Sequence, residues 1–342
     1  MKETVSYTAH VQKGVLLNAN ERSLPMPEEI KQEVLEELGK LALERYPDPE
    51  ETELLEAYGR MMDIDPACLL AGSGSDQMLG YMIGTFLGKG KVLYTLDPDF
   101  SMYDYYASGY EAEVKKYPVS LEEENDPKKF AESAKENNAG LIMFSNPNNP
   151  SGIVLHTDEI KVMLETCPEI PVVVDEAYME FSEAESSISL INDYSNLYVT
   201  RTLSKAYGLA GARVGFLVSN EENMKPLKKN FVPYALNMLS MKTAVVVMRH
   251  HSYFLECIEK TKSERERVYS ALKELKCLQV YPSQGNFVYG KSLHKEQILK
   301  ALNDQNIVIR DYAGKDSFRI TIGTEEENDA VIAVLQSVEE SV

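Results

Sequence analysis

Cysteine is scarce and scattered. The four residues Cys68, Cys167, Cys257 and Cys277 form no CxxC pair, which leaves no dithiol or zinc-ribbon motif and reads as reduced thiols of a cytoplasmic protein. Five histidines include the adjacent pair His250 and His251 but no HExxH, so no metal is expected. A GxSxG elbow is missing too, which argues against a Ser-His-Asp hydrolase. No apolar run reaches the length needed to cross a bilayer. The opening MKETVSYTAHVQ is polar, without the apolar stretch of a signal peptide. Basic residues are outnumbered: 35 Lys and Arg stand against 54 Asp and Glu, a net charge of −19. Neither nucleic acid nor an anionic membrane is therefore expected as a main partner, although a local basic pocket for a small anion fits that balance. Tandem repeats and low-complexity linkers are absent as well.

What is present is an ordinary globular mixture. The 342 residues are 44% hydrophobic and 26% charged, enough for two domains and a sizeable core. Short β-rich runs occur at KVLYTL (91–96), LIMFS (141–145), VVV (172–174) and LYVT (197–200). Helical stretches such as DQMLGYMIGTFL (76–87) and TDEIKVMLET (157–166) lie between them. Strands alternating with helices predict βαβ units and a mainly parallel sheet. Each run hands over at its carboxyl end to polar, turn-forming residues: DPDFSMY, SNPNNPSG, DEAY and RTLSK. Ligands bind at that edge of open α/β sheets, so the four segments are expected to converge. After about residue 250 a long charged helix leads into QVYP, GNFVYG and FRITIGT, the texture of a smaller α+β domain.

Several segments carry chemistry. AGSGSDQ (71–77) precedes a helix, where backbone amides hold a phosphate; the plain alternative is a glycine turn with Ser75 or Asp76 as helix cap. GNFVYGKS (285–292) matches the formal phosphate-loop pattern, but Phe287, Val288 and Tyr289 are stiff strand formers and VVVDE precedes it instead of following. Asp175 ends an apolar strand, either as a helix cap or as the partner of a protonated ring nitrogen. Lys205 lies among Thr202, Ser204 and Arg213: an amine able to form an imine beside hydroxyls and a guanidinium suited to phosphate. A phosphorylated aldehyde with a ring nitrogen, pyridoxal phosphate, accounts for all three features. Arg319 reads either as a solvent-facing arginine or as a fork for a carboxylate or phosphate, with Arg310 in support.

Taken together, LLNANE (16–21), RYPDP (45–49), GSGSDQ (72–77), DPDFSMY (97–103), SNPNNPSG (145–152), VVVDEAYMEF (172–181), RTLSKAYGLAGARVGF (201–216), PYALNMLS (233–240), GNFVY (285–289) and FRITIGT (318–324) resemble, in order, the fold-type I pyridoxal-phosphate aminotransferases. The likeness is greatest to their histidinol-phosphate subfamily. The resemblance implies a large α/β domain (26–245) with a seven-stranded, mainly parallel sheet between helices. It also implies a small α+β domain (246–342) and an N-terminal arm (1–25) packing on the small domain or a partner subunit. It implies Lys205 as the Schiff-base lysine and proton-shift base, and Asp175 as partner of the pyridinium nitrogen. Asn149 and Tyr178 would bond the cofactor's phenolic oxygen, and Tyr103 would stack on the ring. Ser75, Asp76, Thr202, Ser204 and Arg213 would cradle the phosphate. Tyr46 would reach the cofactor phosphate of the neighbouring subunit, so a homodimer with shared sites is implied. Arg319 would receive the substrate's carboxylate or phosphate, helped by Arg310, Asn20 and Tyr7. Two segments depart from the family pattern: NANERSLP, and GSDQ where GADE is usual.

The implied reaction is ping-pong transamination from histidinol phosphate to 2-oxoglutarate, in histidine biosynthesis. An aromatic aminotransferase and a threonine-phosphate decarboxylase share the same residues around the ring; a non-catalytic cofactor-binding regulator is a more remote alternative, since no helix-turn-helix extension or basic segment accompanies the fold.

Overall fold

The computed structural model of the chain describes residues 13–123 and 125–341. Twelve strands run through them: β1 (Val15–Leu17), β2 (Leu69–Ser73), β3 (Val92–Asp97), β4 (Glu113–Pro118), β5 (Ala139–Ser145), β6 (Val172–Asp175), β7 (Leu197–Thr202), β8 (Val214–Val218), β9 (Gln279–Tyr281), β10 (Phe287–Lys291), β11 (Ile307–Asp311) and β12 (Ser317–Thr321). Seven of these form one sheet in the order β2-β8-β7-β6-β5-β3-β4. The five strands from β7 to β4 are parallel, and β8 runs antiparallel to both its neighbours. The mainly parallel sheet expected from the sequence is present, and the fold is α/β.

The central strands are continuous apolar runs because both their faces are covered. Alternate residues enter opposite cores: Ile142, Phe144, Val172, Val174 and Val199 pack on one side, Leu141, Met143, Val173 and Tyr198 on the other. Three strands of this sheet were not expected from the sequence. Strands β2 (LLAGS) and β8 (VGFLV) are short and glycine-containing, and β4 (EVKKYP) is a charged edge strand without an apolar face.

The other five strands form a second sheet, β1-β11-β12-β10-β9, in which β1 joins β11 in parallel and the remaining pairs are antiparallel. Its core gathers Leu17, Val288, Leu302, Phe318, Ile320 and Leu335. The N-terminal segment is thus stitched into the small sheet from Val15 onward. Helix His251–Lys273 serves both halves: Phe254 and Ile258 belong to the large core, Val268 and Leu272 to the small one. Buried Arg265 on this helix donates to Phe181 O at 2.8 Å and Gly285 O at 3.1 Å, tying a loop of each half to it. No helix among the described residues is long and apolar enough to cross a membrane.

Candidate active site

Strands β3, β5, β6 and β7 end on the same edge of the large sheet, where register sets Ser145 beside Asp175 and Asp175 beside Thr200. Pro98, Pro147 and Pro150 stop two of the strands from continuing. The polar segments that follow the four strands therefore collect at one crevice.

Asp175 is 3% exposed. Its Oδ1 accepts a hydrogen bond from Thr200 Oγ1 at 2.9 Å, and its Oδ2 accepts one from Tyr103 Oη at 3.0 Å. Burial pushes its carboxyl up to about 6, against the lowering effect of those hydroxyls. Both partners are neutral, so the charge is hydrogen-bonded but not neutralised, a setting that favours a cationic ligand.

Lys205 stands in the loop after β7, half-buried. Its Nζ donates to Ala19 O at 2.8 Å and lies 5.9 Å from the centre of the Tyr178 ring. Burial, followed by the neighbouring Arg319 cation, brings its ammonium down to about 8. A larger fraction of nucleophilic free amine than an ordinary lysine has is thus present near neutral pH. A cavity of about 920 Å³ opens beside it, lined in part by Arg22, Phe181 and Asn286. The Tyr178 oxygen accepts from Asn20 Nδ2 at 3.0 Å and Asn149 Nδ2 at 3.4 Å, which leaves its own proton to donate.

Arg319 reaches this cluster from β12 of the other sheet. Its Nη1 donates to Asn149 Oδ1 and its Nη2 to Asn18 O at 3.0 Å. Its buried Nε has no partner among the described residues. A buried guanidinium with neutral acceptors and an orphan donor is suited to an anion. Arg310 faces Arg319 in the β11–β12 register, so both side chains leave the same face of the small sheet.

The third part is a helix end. Ser75 and Asp76 lie in the first turn of helix Gly74–Phe86. Arg213 Nη2 donates to Asp76 Oδ2 at 2.6 Å, and Thr202 Oγ1 donates to Ser204 Oγ at 3.0 Å. Gly215 pairs with Thr202 across β7 and β8. A Cβ on Gly215 would stand 2.1 Å from Ser75 N, and one on Gly74 (φ +78°) 2.6 Å from Arg213 Nη2. Two glycines therefore admit a helix N-terminus against hydroxyls and a guanidinium, the requirements of a phosphate cradle.

Most residues singled out from the sequence meet here, with four exceptions. Tyr103 is wholly buried under Asp175, because helix Met102–Gly109 turns it inward, so it has no face left for a ligand ring. Phe100, which the sequence reading passed over, is the half-buried ring on the same turn, 5.6 Å from Tyr103 and perpendicular to it. Asn20 is also fully enclosed: it holds Tyr178, and its side-chain oxygen accepts from Thr321 Oγ1 at 3.0 Å, so it supports the site from behind. Tyr46 is 82% exposed and stacks on Tyr234 with centroids 4.9 Å apart, outside this cluster. Tyr7 lies outside the described residues.

Comparison with known proteins places this geometry. The family model for aminotransferase class I and II matches residues 12–335. A histidinol-phosphate aminotransferase of Clostridium novyi is 35% identical over 321 residues, 93% of this chain and 90% of that protein. Among solved structures, the histidinol-phosphate aminotransferase of Sinorhizobium meliloti in complex with pyridoxal-5'-phosphate superposes with a TM-score of 0.87 at 25% identity, covering 96% of this chain and 92% of that one. The L-threonine-O-3-phosphate decarboxylase of Porphyromonas gingivalis superposes with a TM-score of 0.83 at 25% identity, covering 95% and 99%. With a family model spanning most of the chain and relatives of this similarity along nearly its full length, the chain belongs to the class I and II aminotransferases.

Proposed function

We propose that the protein transfers the amino group of histidinol phosphate to 2-oxoglutarate, using pyridoxal phosphate held at Lys205, as a step of histidine biosynthesis. The observation that carries the reading is Lys205 itself: an amine brought near neutrality, beside Tyr178 and within the field of Arg319. The residues fit the cofactor. The cradle at Ser75, Thr202, Ser204 and Arg213 suits its phosphate, and Asp175 suits a protonated ring nitrogen. When bound, pyridoxal phosphate supplies an aldehyde for the donor's amino group and an electron-withdrawing ring.

Each side chain then has a definite task. Lys205 Nζ, as a free amine, would take the proton from the donor's Cα and hold it for return on the far side of the donor's nitrogen, two bonds away. Asp175 keeps a cationic nitrogen charged, and Thr200 and Tyr103 hold that carboxylate still. Tyr178 Oη and Asn149 Nδ2 aim donors at an oxygen anion. Arg319, with Arg310 on the same face, receives the phosphate of one substrate and the carboxylate of the other. Phe100 covers one face of the ring.

Exposed Leu43, Tyr46, Val232, Tyr234 and Leu239 support pairing with a second copy, through which Tyr46 would complete the partner's phosphate cradle. A cytoplasmic setting accords with the reduced-thiol reading of the sequence.

A donor panel tests the substrate: histidinol phosphate, phenylalanine, tyrosine and threonine phosphate, each coupled to 2-oxoglutarate. A kcat/KM for histidinol phosphate at least about tenfold above the rest is expected, a margin of about 1.4 kcal/mol. Equal rates for aromatic donors would overturn the substrate. Carbon dioxide release from threonine phosphate would favour decarboxylation, a reading supported by the Porphyromonas gingivalis neighbour.

A further inference from the structure

The turn that follows β3 carries a second carboxylate whose partners lead to both sides of the site. Asp99 Oδ1 accepts from Phe100 N at 2.7 Å, and Ser145 N donates to its two oxygens at 3.4 and 3.3 Å. Ser145 Oγ donates to it in a short hydrogen bond, and Thr95 Oγ1 is 3.4 Å from Oδ2. The same Ser145 oxygen accepts from Asn149 N at 2.8 Å. Asn149 in turn bonds Tyr178 Oη and Arg319 through its side chain. One carboxylate thus begins a continuous chain from β3 through Ser145 and Asn149 to the small sheet, and it fixes the backbone of Phe100 on the way.

We propose that Asp99 is a positioning residue: by clamping the ends of β3 and β5 together through Ser145, it sets Asn149 and Phe100 in the orientation they need toward the cofactor. The chemistry requires an acceptor with several lone pairs. A hydroxyl or a methyl at this position cannot take two backbone amides and a serine proton at once. A carboxylate so close to Asp175 carries an electrostatic penalty, since burial pushes Asp99 up to about 7 and Asp175 adds to that. Hydrophobic packing gives no reason for placing a second acid there, whereas the four donors do.

This assignment rests on the cofactor reading above. The test is a pH titration of the visible absorbance of protein loaded with pyridoxal phosphate, for the natural chain, Asp99→Ala, Asp99→Asn and Ser145→Ala. A donor aimed at the cofactor's phenolic oxygen favours the unprotonated form. Releasing Asn149 should therefore raise the midpoint by about one pH unit in Asp99→Ala and Ser145→Ala, the size of one lost hydrogen bond. Asp99→Asn keeps an oxygen for Ser145 and Phe100 and should stay near the natural midpoint. A purely structural role would lower the melting temperature and leave the midpoint unmoved, and that outcome overturns the assignment. So does an equal shift in Asp99→Asn and Asp99→Ala, which would make charge the agent. If Asp99→Ala does not fold, Ser145→Ala carries the same expectation. A natural chain with no visible band would overturn the cofactor reading and this assignment with it, whereas a normal band with an unmoved midpoint overturns this assignment alone.

Discussion

At the scale of single residues, the account depends on how burial retunes ordinary groups. Lys205 is brought down to about 8 and Asp175 up to about 6, each by desolvation first. Lys205→Ala should lower kcat at least about a thousandfold, because a positioned base contributes that much; single-turnover kinetics of the loaded variant would measure it. Arg319→Lys should raise KM for both anionic substrates about tenfold to a hundredfold, since an ammonium replaces a fork that already spends one nitrogen on Asn149. Initial-rate kinetics with each substrate varied in turn would read this. Asp175 also makes a stability prediction. Its folded value lies above the unfolded one near 3.8, so the folded state holds its proton longer and stability is lost as pH rises from about 4 to about 6. Asp175→Asn should flatten that part of the pH dependence by about 2–3 kcal/mol. Urea unfolding of the cofactor-free proteins across this range would show it.

These residue roles were unevenly legible in the sequence. Lys205 and Asp175 could be named because they stand at or just past the carboxyl ends of apolar strands, whereas Asn149 and Tyr178 came only from the resemblance to the aminotransferase family. Tyr103 and Phe100 could not be told apart, because both aromatics lie in one turn and the facing of each depends on where the next helix starts. Asn20 was assigned toward the substrate, but its neighbours are supplied by β12 and Tyr178, contacts distant in sequence. Asp99 gave no signal alone: DPDF reads as a turn, and its importance comes from Ser145, which is 46 residues further along the chain.

At the scale of elements, the site is made by strand ends meeting a helix end. The approach of helix Gly74–Phe86 to β8 depends on Gly215. A methyl there would meet Ser75 N at 2.1 Å, and backbone cannot yield as a flexible side chain does. Gly215→Ala should destabilise the protein by about 1–3 kcal/mol through overpacking and weaken pyridoxal phosphate binding more than tenfold. Equilibrium binding followed by cofactor fluorescence would detect the second effect, and retained affinity would remove this helix end from the cradle. Strands β2 and β8, which frame that contact, were invisible in the sequence because glycine interrupts their apolar pattern. The long helix His251–Lys273 was visible from its length and charge, but its service to two cores was not.

At the scale of the whole molecule, the acidic surface and the exposed aromatic pair Tyr46–Tyr234 need a joint explanation. A net charge of −19 favours a monomer by repulsion unless apolar contact offsets it. The exposed Leu43, Tyr46, Val232, Tyr234 and Leu239 supply that contact if two copies meet. Light scattering should report a dimer, and Tyr234→Asp should give monomers with at least about tenfold lower cofactor affinity, since the partner's tyrosine would be withdrawn from the phosphate. A fully active monomer would separate the two claims and retain the site in one chain. The central claim, that Lys205 holds pyridoxal phosphate, is tested most directly by borohydride reduction of the loaded protein followed by tryptic mass mapping. The account predicts one cofactor adduct, on the peptide spanning residues 202–213, with cleavage after Lys205 blocked. An adduct on another lysine, or none, would contradict it.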